Sequence, residues 1–489
     1  MAISNQQQIS QPQTFIPTGN LRVAPYEIEQ LHAVEIRQKI NEHSTLYFKG
    51  LLKNTPDEDD AELAAEGTSV MLGAVDEYGE AYVLFQGIVK DVLIQNVHGT
   101  RHIEVKAVSL SYLLDIEERS RSFQDKTKPY TELIKQVASL YTGACVTDVA
   151  TNGAATEKFI MQHEETDWEF LKRLASHFNT GLFCEAAIDK PSCYFGVPYS
   201  QAIQLGSTNY TVKKDIHRFN KLSENGVPGL SEDDFICYEV ETNCIVMIGD
   251  AVEFRDKQLH VAEIISTANS GLLVNRLVLM PKKGLSQPYQ PNKKVVGASY
   301  SGYILDVRND RVKVVLNTDA GHDPGAPCWF PYSTIYSSKS GSGWYCMPEI
   351  GDSIRIYFPD GEDDHAYAIS SVHEQVDDDA CSADDADEYS GKRDNPKKKS
   401  LKYGNKEVLL TPDGIYIRTD NAKITLLEEG VTIWTKNDIE FNSEKNIILS
   451  AEEDVNIIGT TGVELACAET ASITINENVE IVGQEVLAN

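Results

Sequence analysis

The chain has 489 residues, is 41% apolar, and carries a net charge of −30 from 44 Lys and Arg against 74 Asp and Glu. That length predicts three or four domains with true cores, and that charge repels phosphate backbones and anionic lipid, which excludes specific nucleic-acid binding and stable membrane association. Nine cysteines, an odd number with no Cys-x-x-Cys pair, read as reduced, buried thiols made in a cytosol rather than as a disulfide framework.

Residues 1–20 form a polar tail that lacks the apolar segment of a secretory signal, and no apolar span of about 18 residues follows. Synthesis and assembly in the cytoplasm are therefore expected. From Tyr26 to Leu52 the pattern is mostly strand-like, although Glu29 to Ile40 also fits a short helix. Asp57, Glu58, Asp59 and Asp60 sit in an exposed acidic loop without the spacing of a calcium site.

Tyr82–Val89 and His102–Val108 alternate as two strands turned near Asn96–Gly99. Leu133, Ile134, Val137 and Leu140 share one helical face over Tyr130–Tyr141, which Gly143 ends. Thr166 and Glu169 form a capping box that opens a second helix, with Trp168, Leu171, Leu174, Ala175 and Phe178 on its inner face. Strands are expected at Leu182–Glu185, Ser192–Val197, Cys244–Ile248, Ala251–Phe254, Leu259–Ile265 and Leu272–Met280. Pro288 and Pro291 mark a boundary.

Residues 295–375 read as a small all-β unit of about five strands, which suits a Greek-key barrel of OB type. Its clearest strands are Gly302–Val307, Arg311–Leu316, Ser353–Phe358 and His365–Val372. Residues 376–400 are a charged linker, acidic from Asp377 to Glu388 and basic at Lys397, Lys398 and Lys399.

From about Gly414 the chain aligns with itself every eight residues. The octads beginning at Val431, Ile439, Ile447, Val455, Val463, Ala471 and Val479 are apolar at positions one and three, mostly small at five, and polar from six to eight. Alternation gives strands with one buried face, the polar triplet gives turns, and a fixed short period gives stacked units. Eight residues cannot enclose a core, since solenoid repeats take at least about twenty. Each octad therefore supplies one wall, and three copies wound on one axis supply the rest; the alternative reading is an ordinary β-sandwich with regular hairpins. The expected trimer core is Val431, Ile433, Ile439, Phe441, Ile447, Leu449, Val455, Ile457, Val463, Leu465, Ile473, Val479 and Ile481.

Three segments carry a family resemblance: Gln86–Val89 with Ser109–Leu113 and Arg119–Gln124; Met161–Leu174, which fits Gln-x-x-Glu-[ST]-Asp-x-x-Phe-[LI]-x-Arg-Leu; and Tyr345–Gly361, where Ile354 replaces the usual Val of Pro-x-Ile-Gly-Asp-x-Val. By these the chain resembles the VgrG-type spike proteins of contractile injection systems, a family that includes phage late control protein D and tail hub-spike pairs. The resemblance implies a mainly β, α+β protein: a hub of two barrel-like domains with helical elements (21–290), an OB-fold collar (295–375) and an intertwined trimeric β-helix spike (401–489). It further implies a homotrimer that meets an inner-tube protein, baseplate subunits, a PAAR-like tip protein and effectors, touches the target membrane only on puncture, and ends in an injection particle or phage tail. The stretch between collar and shaft is too short for the lysozyme that some phage spikes carry there, and no His-x-His iron site follows His373.

No catalytic, cofactor or metal site is expected. Gly297-Ala-Ser299-Tyr-Ser301 misses the nucleophile elbow at its last position and reads as a strand start. His98 and His102 lie across a turn, Cys184 and Cys193 are too few for zinc, and Asp360, Glu362, Asp363 and Asp364 read as solvated turn acids rather than a glycosidase pair. His163 reads as a structural residue at a subunit interface. The alternatives to a structural spike are a spike-borne polysaccharide hydrolase, with Glu452, Glu453 and Glu469 at turn positions, and a receptor-binding fibre.

Overall fold

The computed structural model describes residues 14–53, 67–206, 209–269, 271–335, 337, 346–370 and 397–461. The acidic loop at Asp57–Asp60, the Asp377–Glu388 linker and the octads from Val463 onward lie outside these residues. The chain divides into two compact units, residues 1–374 and 375–489.

In the first unit one long sheet runs through two modules. Its order is Leu21–Ala24, Ser69–Val75, Ala81–Val97, Thr100–Ser109, Thr45–Leu52, Ile28–Lys39, Lys257–Asn269, Leu272–Met280, Ile236–Thr242 and Tyr210–Lys214, with Ala251–Phe254 and Ile203–Gln204 branching from it. Alternation sets which face is buried. Val34, Ile36, Phe48, Val70, Leu72, Phe85, Ile103 and Val105 fill a first core, and Val240, Val252, Val261, Ile264, Leu277 and Leu279 a second. The modules join where Glu35–Lys39 pair with Glu263–Thr267. The stretch read as a possible helix, Glu29–Ile40, is the strand Ile28–Lys39: its inner residues recur every second position, so the two-residue period wins over helical propensity. The turn between Ala81–Val97 and Thr100–Ser109 is two residues long, His98 and Gly99, both with positive φ as a type I′ hairpin requires.

Other expectations shift locally. The first helix is Tyr130–Ala138, shorter than its apolar pattern, with Leu140 exposed beyond its end. Cys244–Ile248 alternates, burying Cys244, Val246 and Ile248, but joins no ladder; instead the Asn275 side chain donates to the Cys244 carbonyl. A third helix, Ile216–Glu224, is capped by Asp215 and buries only Leu222.

Residues 299–370 form five strands, Ser299–Arg308, Arg311–Leu316, Trp329–Pro331, Ser353–Tyr357 and Tyr367–Ser370, ordered three, two, one, four, five. A parallel bridge from Tyr332 to Ala368, with the Ser333 amide donating to the Ala368 carbonyl at 2.8 Å, joins the third strand to the fifth. That closes the sheet into the Greek-key barrel of an OB fold around Ile304, Val312, Val314, Phe330, Ile354, Ile356 and Phe358.

The second unit opens with a five-stranded antiparallel meander: Lys399–Tyr403, Lys406–Thr411, Gly414–Arg418, Ala422–Leu427 and Gly430–Thr435. The last four strands start at 406, 414, 422 and 430, so the eight-residue period begins earlier than the clean octads and sets strand length here too. Hydroxyls recur in step. Thr411, Thr419, Thr435 and Ser443 each accept, through the side-chain oxygen, the amide two residues on, a turn device that explains why the polar triplet follows each strand.

Candidate functional site: a buried ionic joint and an uncovered octad face

The Met161–Leu174 motif is the structural hinge of the first unit. It runs from the strand Ile160–Thr166 into the helix Asp167–Ser176. Thr166 caps that helix: its hydroxyl accepts the Glu169 amide at 3.1 Å, and the Glu169 carboxylate accepts the Thr166 amide at 3.3 Å. Phe170, Leu171 and Leu174 then point into a core shared with Leu133, Ile134 and Val137.

Gln162, Glu165, Asp167 and Arg173 of the motif are buried and hydrogen-bonded. Asp167, fully buried, accepts from Arg121 at 2.6 Å, Gln162 at 2.9 Å and the Tyr141 hydroxyl at 2.8 Å. Gln162 accepts in turn from Arg121 Nε at 2.8 Å. Arg173 grips both oxygens of Glu165 at 2.8 Å, donates to the Met161 carbonyl at 2.6 Å, and reaches Asp363 at 2.9 Å. Asn292 bridges the Met161 carbonyl and Asp363. Burial works against the Arg173 charge, but Asp363 and then Glu165 more than offset it, so its pKa is raised; at Arg121 burial prevails over Asp167 and lowers the pKa.

Asp363 belongs to the barrel, so this network ties the barrel to the sheet-and-helix module before it. A second tie lies beside it. Asp319 accepts the Ser122 amide at 2.7 Å and hydroxyl at 2.6 Å, Thr318 donates to the Ser120 carbonyl, and Gln124 donates to the Pro324 carbonyl. Phe159 and Met161 of the hub complete the barrel core. The expectation that the four turn acids are all solvated therefore fails for Asp363, which is 3% exposed. His163, assigned to a subunit interface, meets Tyr300 of its own chain, with ring centroids 5.6 Å apart. Cys184 and Cys193 stand opposite each other on adjacent strands. Among the described residues no three His, Cys, Asp or Glu side chains gather as a metal site would require.

The octad residues present the opposite picture. Val431 and Ile433 lie on the last meander strand, in register with Leu426 and Ile424 and through them with Ile415 and Ile417. Many of these aliphatics are exposed, Val431 by 66%. Among the described residues no ladder forms from Lys436 to Thr461, and Ile439, Phe441, Ile447, Leu449, Val455 and Ile457 are all exposed, Phe441 at 67% and Leu449 at 71%. Val463, Leu465, Ile473, Val479 and Ile481 fall outside the described residues.

The chain thus combines a mainly β module, a five-stranded OB-type barrel locked to it and an eight-residue sequence repeat. Residues 50–188 match the phage tail baseplate hub (GPD) family. The E. coli c3393 protein, described as a type VI secretion component structurally similar to the T4 tail proteins gp27 and gp5, superposes with a TM-score of 0.51 at 11% identity, over 71% of this chain and 98% of that one. A chain of the half-lidded Francisella PdpA–VgrG complex gives a TM-score of 0.53 at 10% identity, over 88% and 89%. No curated protein sequence matches the chain. The resemblance to VgrG-type hub-spike proteins is thereby borne out, and the chain has the fold of that class.

Proposed function

We propose that three copies of this chain assemble into the central spike of a contractile injection machine. The hub joins the inner tube and baseplate, the OB barrel serves as collar, and the octads braid into a shaft that carries force to the target membrane and helps deliver effectors or nucleic acid. A PAAR-like protein caps the shaft. The supporting observation is the uncovered octad face: one chain exposes a periodic run of large aliphatics and leaves its ladder unpaired after Thr435. Such a run costs solubility unless it is covered, and sister chains with the same period supply matching walls. Sedimentation velocity of the full chain at micromolar concentration is the test. A species of three chains' mass is expected, seen in negative stain as a club bearing a thin rod. A stable single-chain species would overturn the proposal.

A further inference from the structure

Cys184 and Cys193 face each other across the antiparallel strands Leu182–Cys184 and Ser192–Phe195. The flanking pairs are hydrogen-bonded ones: the Gly196 amide donates to the Gly181 carbonyl at 3.0 Å and the Glu185 amide to the Ser192 carbonyl at 3.5 Å. By alternation, Cys184 and Cys193 occupy a non-hydrogen-bonded pair. Opposed residues there lie about 4.5 Å apart at Cα with side chains on one face, inside the window of about 4.4–6.8 Å that a disulfide spans. Both thiols are free and buried. The Cys184 thiol donates to the Ser111 hydroxyl at 3.2 Å, and Cys184 lines a cavity of about 90 Å³, roomy enough for a molecule the size of water or peroxide.

We propose that Cys184 and Cys193 form an oxidation-dependent cross-strand disulfide that staples this hairpin once the protein meets a peroxide. One thiol sulfur attacks a peroxide oxygen, giving a sulfenic acid and one water. The partner sulfur then displaces the hydroxyl and releases a second water. Two thiols and one hydrogen peroxide thus become one disulfide and two waters, with two electrons passing to the peroxide oxygens. Burial pushes the Cys184 thiol up to about 12, so the thiolate is scarce and its attack on peroxide is slow, which keeps the pair reduced through assembly in a reducing compartment and calls for excess peroxide to close the bond. The staple holds Phe183 and Phe195, which pack in the hub core. Only the setting of the oxidation rests on the proposed function; the bond itself does not.

The test uses the full chain treated with hydrogen peroxide, denatured, alkylated and digested with trypsin. Because Lys190 precedes Pro191, both cysteines stay in one peptide, residues 174–213. That peptide is expected to escape alkylation and to appear about 2 Da lighter than its reduced form. Tm is expected to rise by a few degrees on oxidation, a gain lost in Cys193→Ser and kept in Cys145→Ser. If both cysteines are fully alkylated after peroxide has consumed the exposed Cys145 and Cys346, or if either is linked to Cys145 instead, the proposal fails. These readouts do not depend on oligomeric state, so its failure is separable from that of the trimer.

Discussion

Arg173 holds two carboxylates, Glu165 and Asp363, in a site from which water is excluded. Removing one partner of such a cluster leaves charge buried without compensation, which costs about 3–5 kcal/mol. Arg173→Met is therefore expected to lower stability by that order, and the triple change with Glu165→Gln and Asp363→Asn to recover much of it, as chemical denaturation would measure. His177 gives a pH dependence with a definite sign. Burial, with Lys158 and Arg173 nearby, pushes its pKa down to about 3, and its Nδ1 is hydrogen-bonded to the Tyr130 hydroxyl at 2.9 Å. The unfolded chain takes up that proton below about pH 6.5 and the folded chain does not. Stability is thus unaffected by this group above that pH and falls as pH drops from 6.5 toward 3, by about 1.4 kcal/mol per unit at most. His177→Gln, which keeps an acceptor but cannot titrate, is expected to flatten the slope in urea melts between pH 6.5 and 4; an unchanged slope would rule His177 out as its source.

At the scale of elements, local chemistry was legible and long-range chemistry was not. The capping box at Thr166 and Glu169 is written within four residues, and so is the hairpin turn at His98–Gly99. The partner of Arg173 lies 190 residues away, and that of Ser122 lies 197 away. Polar pairs of that separation leave no periodicity behind, which is why Asp363 looked like one more solvated turn acid. The helix Ile216–Glu224 escaped because its stripe is short: Ile216, Phe219 and Leu222 recur three apart over only 9 residues. Gly87 is a positional case that sequence marks without explaining. A Cβ there would stand 2.1 Å from the Val108 carbonyl oxygen and 2.8 Å from the Phe85 ring, where Gly87 pairs with Ser109 between the strands Ala81–Val97 and Thr100–Ser109. Gly87→Ala must push backbone apart and is expected to cost about 2–4 kcal/mol, in the range of severe core substitutions, whereas Gly99→Asn, in an open turn at positive φ, is expected to cost less than about 1 kcal/mol. Thermal unfolding of the two variants separates these outcomes.

For the whole molecule, the eight-residue period makes a demand that one chain does not meet. Through Thr435 each octad finds a neighbour in its own chain; beyond it, apolar positions one and three recur with nothing to pack on. If sister chains cover them, charge at those positions enters a dry core three times per rung, while charge in the polar triplet stays in water. Leu449→Asp with Ile457→Asp is therefore expected to abolish the three-chain species in sedimentation, since each buried carboxylate costs several kcal/mol. Asp438→Lys with Glu444→Lys, at the eighth and sixth positions, is expected to leave it intact. Hub melting should be the same in both variants, because its cores and ionic joint are built within one chain. The shaft transition of the unaltered protein should instead rise with protein concentration, as mass action requires of a fold shared between chains. A shaft transition insensitive to concentration, with both double variants sedimenting alike, would mean that the octads close on themselves.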